Sequence, residues 1–174
     1  MSTREDIPTY PFSKLLIEVI NQELPEASAR PARARTFKRV QSLLATGQIP
    51  LLLLSKKNAR ALINGTGPFR KFGKTKSFVI YNFGDLVLLS EPNFPNRHAW
   101  QLTKVFMNIV NESINAKSPL ETRQVTNIHQ GTLKALNGES IPSLVFSGNN
   151  SALNTEVKIL ESPSILQPVY KYVK

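Results

Sequence analysis

The sequence contains no cysteine, which removes several kinds of chemistry at once. A chain without thiols forms no disulfide framework, holds no thiolate zinc site and has no cysteine nucleophile. Its only two histidines, His98 and His129, lie 31 residues apart, without the short spacings of metal-binding motifs. No serine has the flanking glycines of a hydrolase nucleophile. We therefore predict no catalytic residue, no metal and no cofactor.

Long apolar runs are also missing. The longest uninterrupted one, residues 49–54, is far shorter than the roughly 20 residues that a membrane-spanning helix needs. Residues 1–11 include Arg4, Glu5 and Asp6 and have no apolar core of the kind found in secretory signal peptides. We expect an intracellular or virion-associated protein with no membrane span.

Acidic residues are absent from the 58 residues between Glu26 and Asp85. This segment holds 12 basic residues, whereas the rest of the chain holds 10 basic and 12 acidic ones, so the net charge of +10 belongs to the segment. A surface without carboxylates neither repels phosphate nor neutralises its own cations, which favours binding of a polyanion. The predicted phosphate-binding residues are Arg33, Arg35, Lys38, Arg39, Lys56, Lys57, Arg60, Arg70, Lys71, Lys74 and Lys76.

Apolar spacing predicts a fold in which helices come first. The predicted helices are 12–24, 34–46 and 55–64, ended by Pro25, Gly47 and Gly65, with Ser55 as the N-cap of the third. The apolar run 49–54 fits a buried strand or the start of a helix equally well. The segment 77–89 is β-like and is divided by Gly84 and Asp85, which predicts a hairpin or one long bulged strand.

A long helix is predicted at residues 97–114, and short strands follow it. The strand candidates are 125–136, 143–146, 155–160 and 165–172. We predict a single α+β domain over residues 1–174, with three successive parts. These are a helical basic part (10–65), a central β-hairpin and long helix (76–116), and a C-terminal antiparallel β-rich part (122–174).

The order of helices, basic turn and hairpin loosely matches a winged helix-turn-helix. Residues 55–64 would then be the recognition helix. The residues facing the major groove would be Lys56, Lys57, Asn58 and Arg60. The wing would carry Arg70, Lys71, Lys74 and Lys76. The eight residues 47–54 make a longer connection than a tight helix-turn-helix turn.

Two aromatic residues, Phe69 and Phe72, lie within the basic turn. Single-strand binders alternate aromatic stacking platforms with cations in this way, so both are candidates for contact with bases. Core packing is the commoner role of such residues.

The leading functional hypothesis is a non-enzymatic basic protein that binds the phosphates of DNA or RNA, or another polyanion. The alternative is a structural subunit of a larger assembly, such as a virion, a phage neck or tail, or a nucleoprotein complex, which contacts copies of itself or other subunits. The Pro- and Arg-rich residues 25–35 and the sheet edges expected in the tail favour that alternative. A remote third is a Mg²⁺-dependent nuclease, based on Glu156 and Lys158 with Glu139 upstream.

Overall fold

This computed structural model describes residues 1–109, 122–123 and 126–142, which contain both helices and strands. All of them belong to the compact unit Met1–Ser143. In chain order the elements are β1 (Ser2–Thr3), α1 (Thr9–Glu23), β2 (Arg33–Ala34), α2 (Phe37–Ala45), β3 (Leu51–Ser55), α3 (Lys56–Asn64), β4 (Phe78–Asn82), β5 (Leu86–Ser90), α4 (Asn96–Asn108) and α5 (Gln130–Leu136), with 3₁₀ helices at Pro25–Ala27 and Gly67–Phe72. The predicted α+β class is confirmed.

The main sheet is antiparallel and has the strand order β3-β5-β4, while β1 and β2 form a separate short parallel pair. The two outer strands of the main sheet, β3 and β4, are hydrogen-bonded to neighbouring segments. On the β3 edge, Leu53 N–H donates to Met1 O at 2.9 Å. On the β4 edge, Val79 N–H donates to Asn127 O at 2.8 Å, and His129 N–H donates to Val79 O at 2.9 Å. Within the described residues, both edges are therefore partly covered.

Both faces of this sheet are buried, and side chains alternate between them. Leu53 and Leu88 belong to a core formed with α1 and α4, whereas Leu52 and Leu54 belong to a core formed with α2, α3 and the 3₁₀ helix Gly67–Phe72. A strand covered on both faces reads as a continuous apolar run. This arrangement explains why residues 51–54 show no alternation in the sequence.

The predicted hairpin is confirmed, and it also contains a bulge. The register between β4 and β5 shifts between Val79 and Tyr81. Because of the extra residue, Ile80 and Tyr81 both pack into the core on the α1 and α4 side. The alternative of one long bulged strand is wrong, because the chain reverses between Asn82 and Leu86 and the two strands pair with each other.

The third helix ends at Gly65, as predicted, with a left-handed backbone of φ 66°. A Cβ at this position would lie 2.4 Å from the carbonyl carbon of Gly73 and from Lys74 N. Only glycine allows the chain after the 3₁₀ helix to pass this closely beneath α3.

The predicted strand 125–136 is wrong over most of its length, because residues Gln130–Leu136 form helix α5. Its β pairing is a single isolated bridge between Val79 and Ile128. Gly131 lets α5 approach α4 so closely that a Cβ there would lie 2.0 Å from Asn96 O. The local β-like pattern did not reveal this helix, because its position depends on a contact with α4, which is distant in sequence.

The helix predicted at 97–114 ends early, at Asn108, where Ile109 has an extended backbone. The remaining C-terminal predictions lie outside the described residues. They are the strands 143–146, 155–160 and 165–172, residues 110–114 of the long helix, and the continuation of a single domain to residue 174. They stay predictions.

The winged helix-turn-helix interpretation is wrong. Strand β3 separates α2 from α3, so the two helices are not joined by a turn. The hairpin β4–β5 is enclosed by cores on both faces and is not an exposed wing. Its own turn, residues 83–85, contains no basic residue.

Candidate polyanion-binding surface

One side of the sheet is covered by α2, α3, the 3₁₀ helix Gly67–Phe72 and the loop 73–77, which together we call the basic layer. The layer has no acidic residue of its own. Nine of the predicted phosphate-binding residues belong to it: Lys38, Arg39, Lys56, Lys57, Arg60, Arg70, Lys71, Lys74 and Lys76. The fold therefore places these nine basic residues, which the sequence spreads over 39 positions, on one side of the sheet.

The layer is anchored through its apolar side. The Phe69 ring is 0% exposed and meets the Phe37 ring edge-on, with the ring centroids 5.2 Å apart. Val40 and Leu44 of α2 and Leu62 of α3 are also 0% exposed in the same core. Because these side chains fill the inner face, the basic side chains of the layer are left at the surface.

A buried glutamine fixes the basic loop to its neighbours. Gln41 Nε2 donates to Gly73 O at 3.0 Å and to Thr75 Oγ1 at 2.9 Å. Thr75 N–H in turn donates to Leu62 O of α3 at 3.2 Å. These bonds hold the loop against both α2 and α3, and so fix the backbone that carries Lys74.

Eight of the nine basic side chains in the layer are exposed, and Lys56 is half-buried. Among the described residues, none of the nine forms a salt bridge with a carboxylate. Lys38 Nζ instead lies over the Phe72 ring, 5.3 Å from its centroid. Within the described part of the chain, the positive charge of the layer is thus not neutralised by carboxylates.

Four of these cations lie near Phe72, one by contact and three in the chain. Lys38 contacts its ring, and Arg70, Lys71 and Lys74 lie within two residues of it in the chain. We call Lys38, Arg70, Lys71 and Lys74 the basic cluster.

Arg33 and Arg35 lie before the layer, in and after β2, and both are exposed. The Arg33 guanidinium is placed over the Tyr10 ring of α1, 4.7 Å from the ring centroid. Such a cation–π contact turns Arg33 toward α1 and away from the basic cluster. The structure therefore does not bring all eleven predicted residues together.

Two acidic residues from outside the segment reach the N-termini of the layer's helices, which the sequence did not reveal. Glu5 Oε2 accepts a hydrogen bond from Phe37 N–H, at the first residue of α2. Asp6 Oδ2 accepts one from Ser55 N–H at 2.7 Å, at the N-cap of α3. A carboxylate is favourable at a helix N-terminus, where the backbone dipole is positive. With a carboxylate already at each end, neither N-terminus offers a free phosphate site.

The two candidate stacking residues have different surroundings. Phe69 is completely buried, so its predicted contact with a base is wrong. Phe72 is 48% exposed and lies beside the basic cluster. Of the two, Phe72 alone presents its ring to a ligand.

Histidine His129 has a structural role at the N-cap of α5. Its Nδ1 accepts a hydrogen bond from Gly131 N–H at 3.1 Å, so its Nε2–H donates to Phe94 O at 2.8 Å. This is the neutral form of the ring. Burial lowers the pKa of His129 below its usual value of 6.5, while the hydrogen bond to Phe94 acts in the opposite direction.

Signs of other chemistry are few in the part of the chain described here. Its His, Asp and Glu side chains form no group of three or more that could hold a metal ion. None of its helices combines the length and the apolar character needed to cross a membrane. Glu139 is exposed and accepts a hydrogen bond from Asn137 Nδ2 at 3.3 Å, whereas Glu156 and Lys158 of the nuclease hypothesis lie outside the described residues.

Comparison with known proteins found no matching family model, no matching curated protein and no matching solved structure.

Proposed function

We propose that this protein associates with nucleic acid through the basic layer, without enzymatic activity, and that it binds phosphates largely independently of base sequence. The observation that carries the proposal is the set of nine basic side chains on one layer, free of salt bridges within the described residues. Phosphate contacts made by such side chains release condensed counterions, which supplies a sequence-independent binding free energy.

The opposite side of the sheet lacks this charge pattern. Helix α1 mixes Lys14 with Glu18 and Glu23. Helices α4 and α5 carry only three basic residues between them, Arg97, Lys104 and Lys134. Since mixed or sparse charge produces a weak field, a polyanion is expected to approach from the basic layer.

Sequence-specific reading of a duplex groove has less support. Recognition helices commonly present their N-terminal residues to base edges. In this protein Asp6 lies at the start of α3, and Glu5 lies at the start of α2. Contact through side chains to the phosphate backbone agrees better with this arrangement.

The test is a fluorescence-anisotropy titration with unrelated DNA and RNA oligonucleotides at several salt concentrations. We expect the protein to bind all of them. The logarithm of the association constant should fall linearly as the logarithm of the salt concentration rises. In the double variant K71Q/K74Q, the slope should become shallower by roughly 0.7 to 0.9 for each phosphate that is no longer bound.

The matched control is K14Q/K104Q, which also removes two positive charges, but from the opposite side of the sheet. It should bind nearly as the unmodified protein does. Equal reductions in affinity in the two double variants would show that net charge, and not the basic layer, drives binding. Absence of salt-dependent binding by the unmodified protein would refute the proposal.

The alternative of a structural assembly subunit uses the same layer as an interface with an acidic protein. Strand addition at the main sheet has little support, because both edges are hydrogen-bonded to neighbouring segments within the described residues. Light scattering across a range of protein concentrations tests self-association. A mass that stays at one chain would count against a homo-oligomeric subunit.

A further inference from the structure

Phe72 is a large apolar side chain that the fold leaves on the surface. It is 48% exposed at the last position of the 3₁₀ helix Gly67–Phe72, whereas Phe69 in the same helix is 0% exposed. The Phe69 side chain already provides the apolar anchor of this helix. The exposed ring of Phe72 is therefore available for a contact outside the fold.

The cations around Phe72 define what such a contact would be. Lys38 Nζ lies 5.3 Å from the ring centroid, and Arg70, Lys71 and Lys74 are exposed close to it in the chain. A ring flanked by cations suits a ligand that pairs a flat aromatic surface with closely spaced negative charges. An unpaired nucleotide has both, in its base and its phosphate.

We propose that the ligand of the basic layer is single-stranded nucleic acid, with one base stacked on the ring of Phe72 and the adjoining phosphates bound by the basic cluster. This inference rests on the proposed function. In a duplex the faces of the bases are covered by their neighbours, so an exposed ring on the protein finds no base to stack on. Stacking tolerates any base, in agreement with binding that does not read sequence.

The existing contact of Lys38 with the ring fits this role. A cation over an exposed aromatic ring gains only a small stabilisation, because water screens it. A stacked base can take the open side of the ring or displace Lys38, and the ammonium group then remains near the phosphate of the same nucleotide. Binding would thus exchange a weak internal contact for a charge-assisted one.

The experiment compares two probes of equal length and charge: oligothymidylate of about twelve nucleotides, within the range of single-strand binding sites, and an abasic oligomer with the same phosphate backbone. F72L should lower the affinity for oligothymidylate by about five- to one-hundred-fold, since stacking on an aromatic ring contributes substantially to binding. It should leave the affinity for the abasic oligomer and the salt slope unchanged. F72Y, which keeps the ring, should bind oligothymidylate as the unmodified protein does.

The outcomes separate this inference from the proposed function. If K71Q/K74Q weakens binding but F72L binds both probes normally, the phosphate contacts stand and the stacking contact is refuted. If F72L weakens both probes equally, Phe72 acts through the structure of the layer and the inference is also refuted. Tighter binding of a duplex than of oligothymidylate would overturn it as well.

If neither probe binds the unmodified protein, the proposed function itself fails. As a control, thermal unfolding followed by Trp100 emission shows whether each variant is folded.

Discussion

The two sides of the main sheet are similar inside and different outside. On one side Phe69, Val40 and Leu62 are completely buried, and on the other Phe106 and Ala99 are equally buried. The outer surfaces differ, because the basic layer has no acidic residue of its own, whereas α1 carries charges of both signs. Packing requires apolar residues on the inner face of a helix but leaves its outer face free. The unbalanced charge is therefore not explained by the needs of the fold, which is why we propose a binding role for it.

The largest expected effect tests the division between anchor and surface within the basic layer. F69A should lower the free energy of unfolding by about 3–5 kcal/mol, because it removes a fully buried ring and leaves a cavity. F72A should change it by no more than about 0.5 kcal/mol, since the ring is half exposed. Urea denaturation measures both. Equal destabilisation by the two substitutions would mean that Phe72 is also a core residue.

The close passage of the loop beneath α3 gives the next effect. G65A should cost more than about 2 kcal/mol, because alanine is disfavoured at φ 66° and its Cβ would collide with the backbone of Gly73 and Lys74. Gly138 has a similar φ of 75°, but no described residue lies within 4 Å of a Cβ placed there. G138A should therefore show only the conformational cost, about 1–2 kcal/mol. Thermal unfolding of the two variants distinguishes the cost of the backbone conformation from the cost of the Cβ collision. Equal destabilisation of the two variants would show that the collision does not contribute.

Gln41 provides a smaller test of how the basic loop is held. Q41L removes the hydrogen bonds to Gly73 O and Thr75 Oγ1 and should cost about 1–3 kcal/mol. The other polar atom of its amide, Oε1, is buried without a hydrogen-bond partner among the described residues, so its removal by leucine offsets part of the loss of the two bonds that Nε2 donates. Q22L on α1 makes the same change at an exposed position and should stay within about 0.5 kcal/mol. If both variants unfold at the same urea concentration, Gln41 does not hold the loop.

A pH dependence is expected from the opposite side of the sheet, where α5 packs beside α4. Since the pKa of His129 is lowered in the folded protein, the unfolded chain binds more protons as the pH falls below 6.5. The contribution of neutral His129 to stability is therefore complete above pH 6.5 and decreases gradually below it. Denaturation midpoints measured from about pH 5 to about pH 8, where histidine titrates, should show a shallower dependence in H129Q. The exposed His98 provides the matched control, and H98Q should retain the dependence of the unmodified protein.

Local patterns in the sequence located much of the fold. The stop at Gly65, the N-cap position at Ser55 and the hairpin over residues 77–89 were predicted because each depends on neighbours along the chain. Helix α5 was not predicted, because its packing depends on the close approach of Gly131 to Asn96, 35 residues away in the chain. Predictions beyond residue 142 are not tested by the described residues.

For the candidate site, the sequence by itself determined which residues are basic and that no acid lies among them in the chain. The tertiary structure decided the rest: it gathered nine of the eleven predicted residues on one layer, turned Arg33 toward Tyr10, and brought Glu5 and Asp6 to the helix N-termini. It also buried Phe69 while leaving Phe72 exposed. The physical reason is that charge and helical period are properties of neighbouring residues, whereas burial and carboxylate contacts depend on segments that meet only when the chain folds.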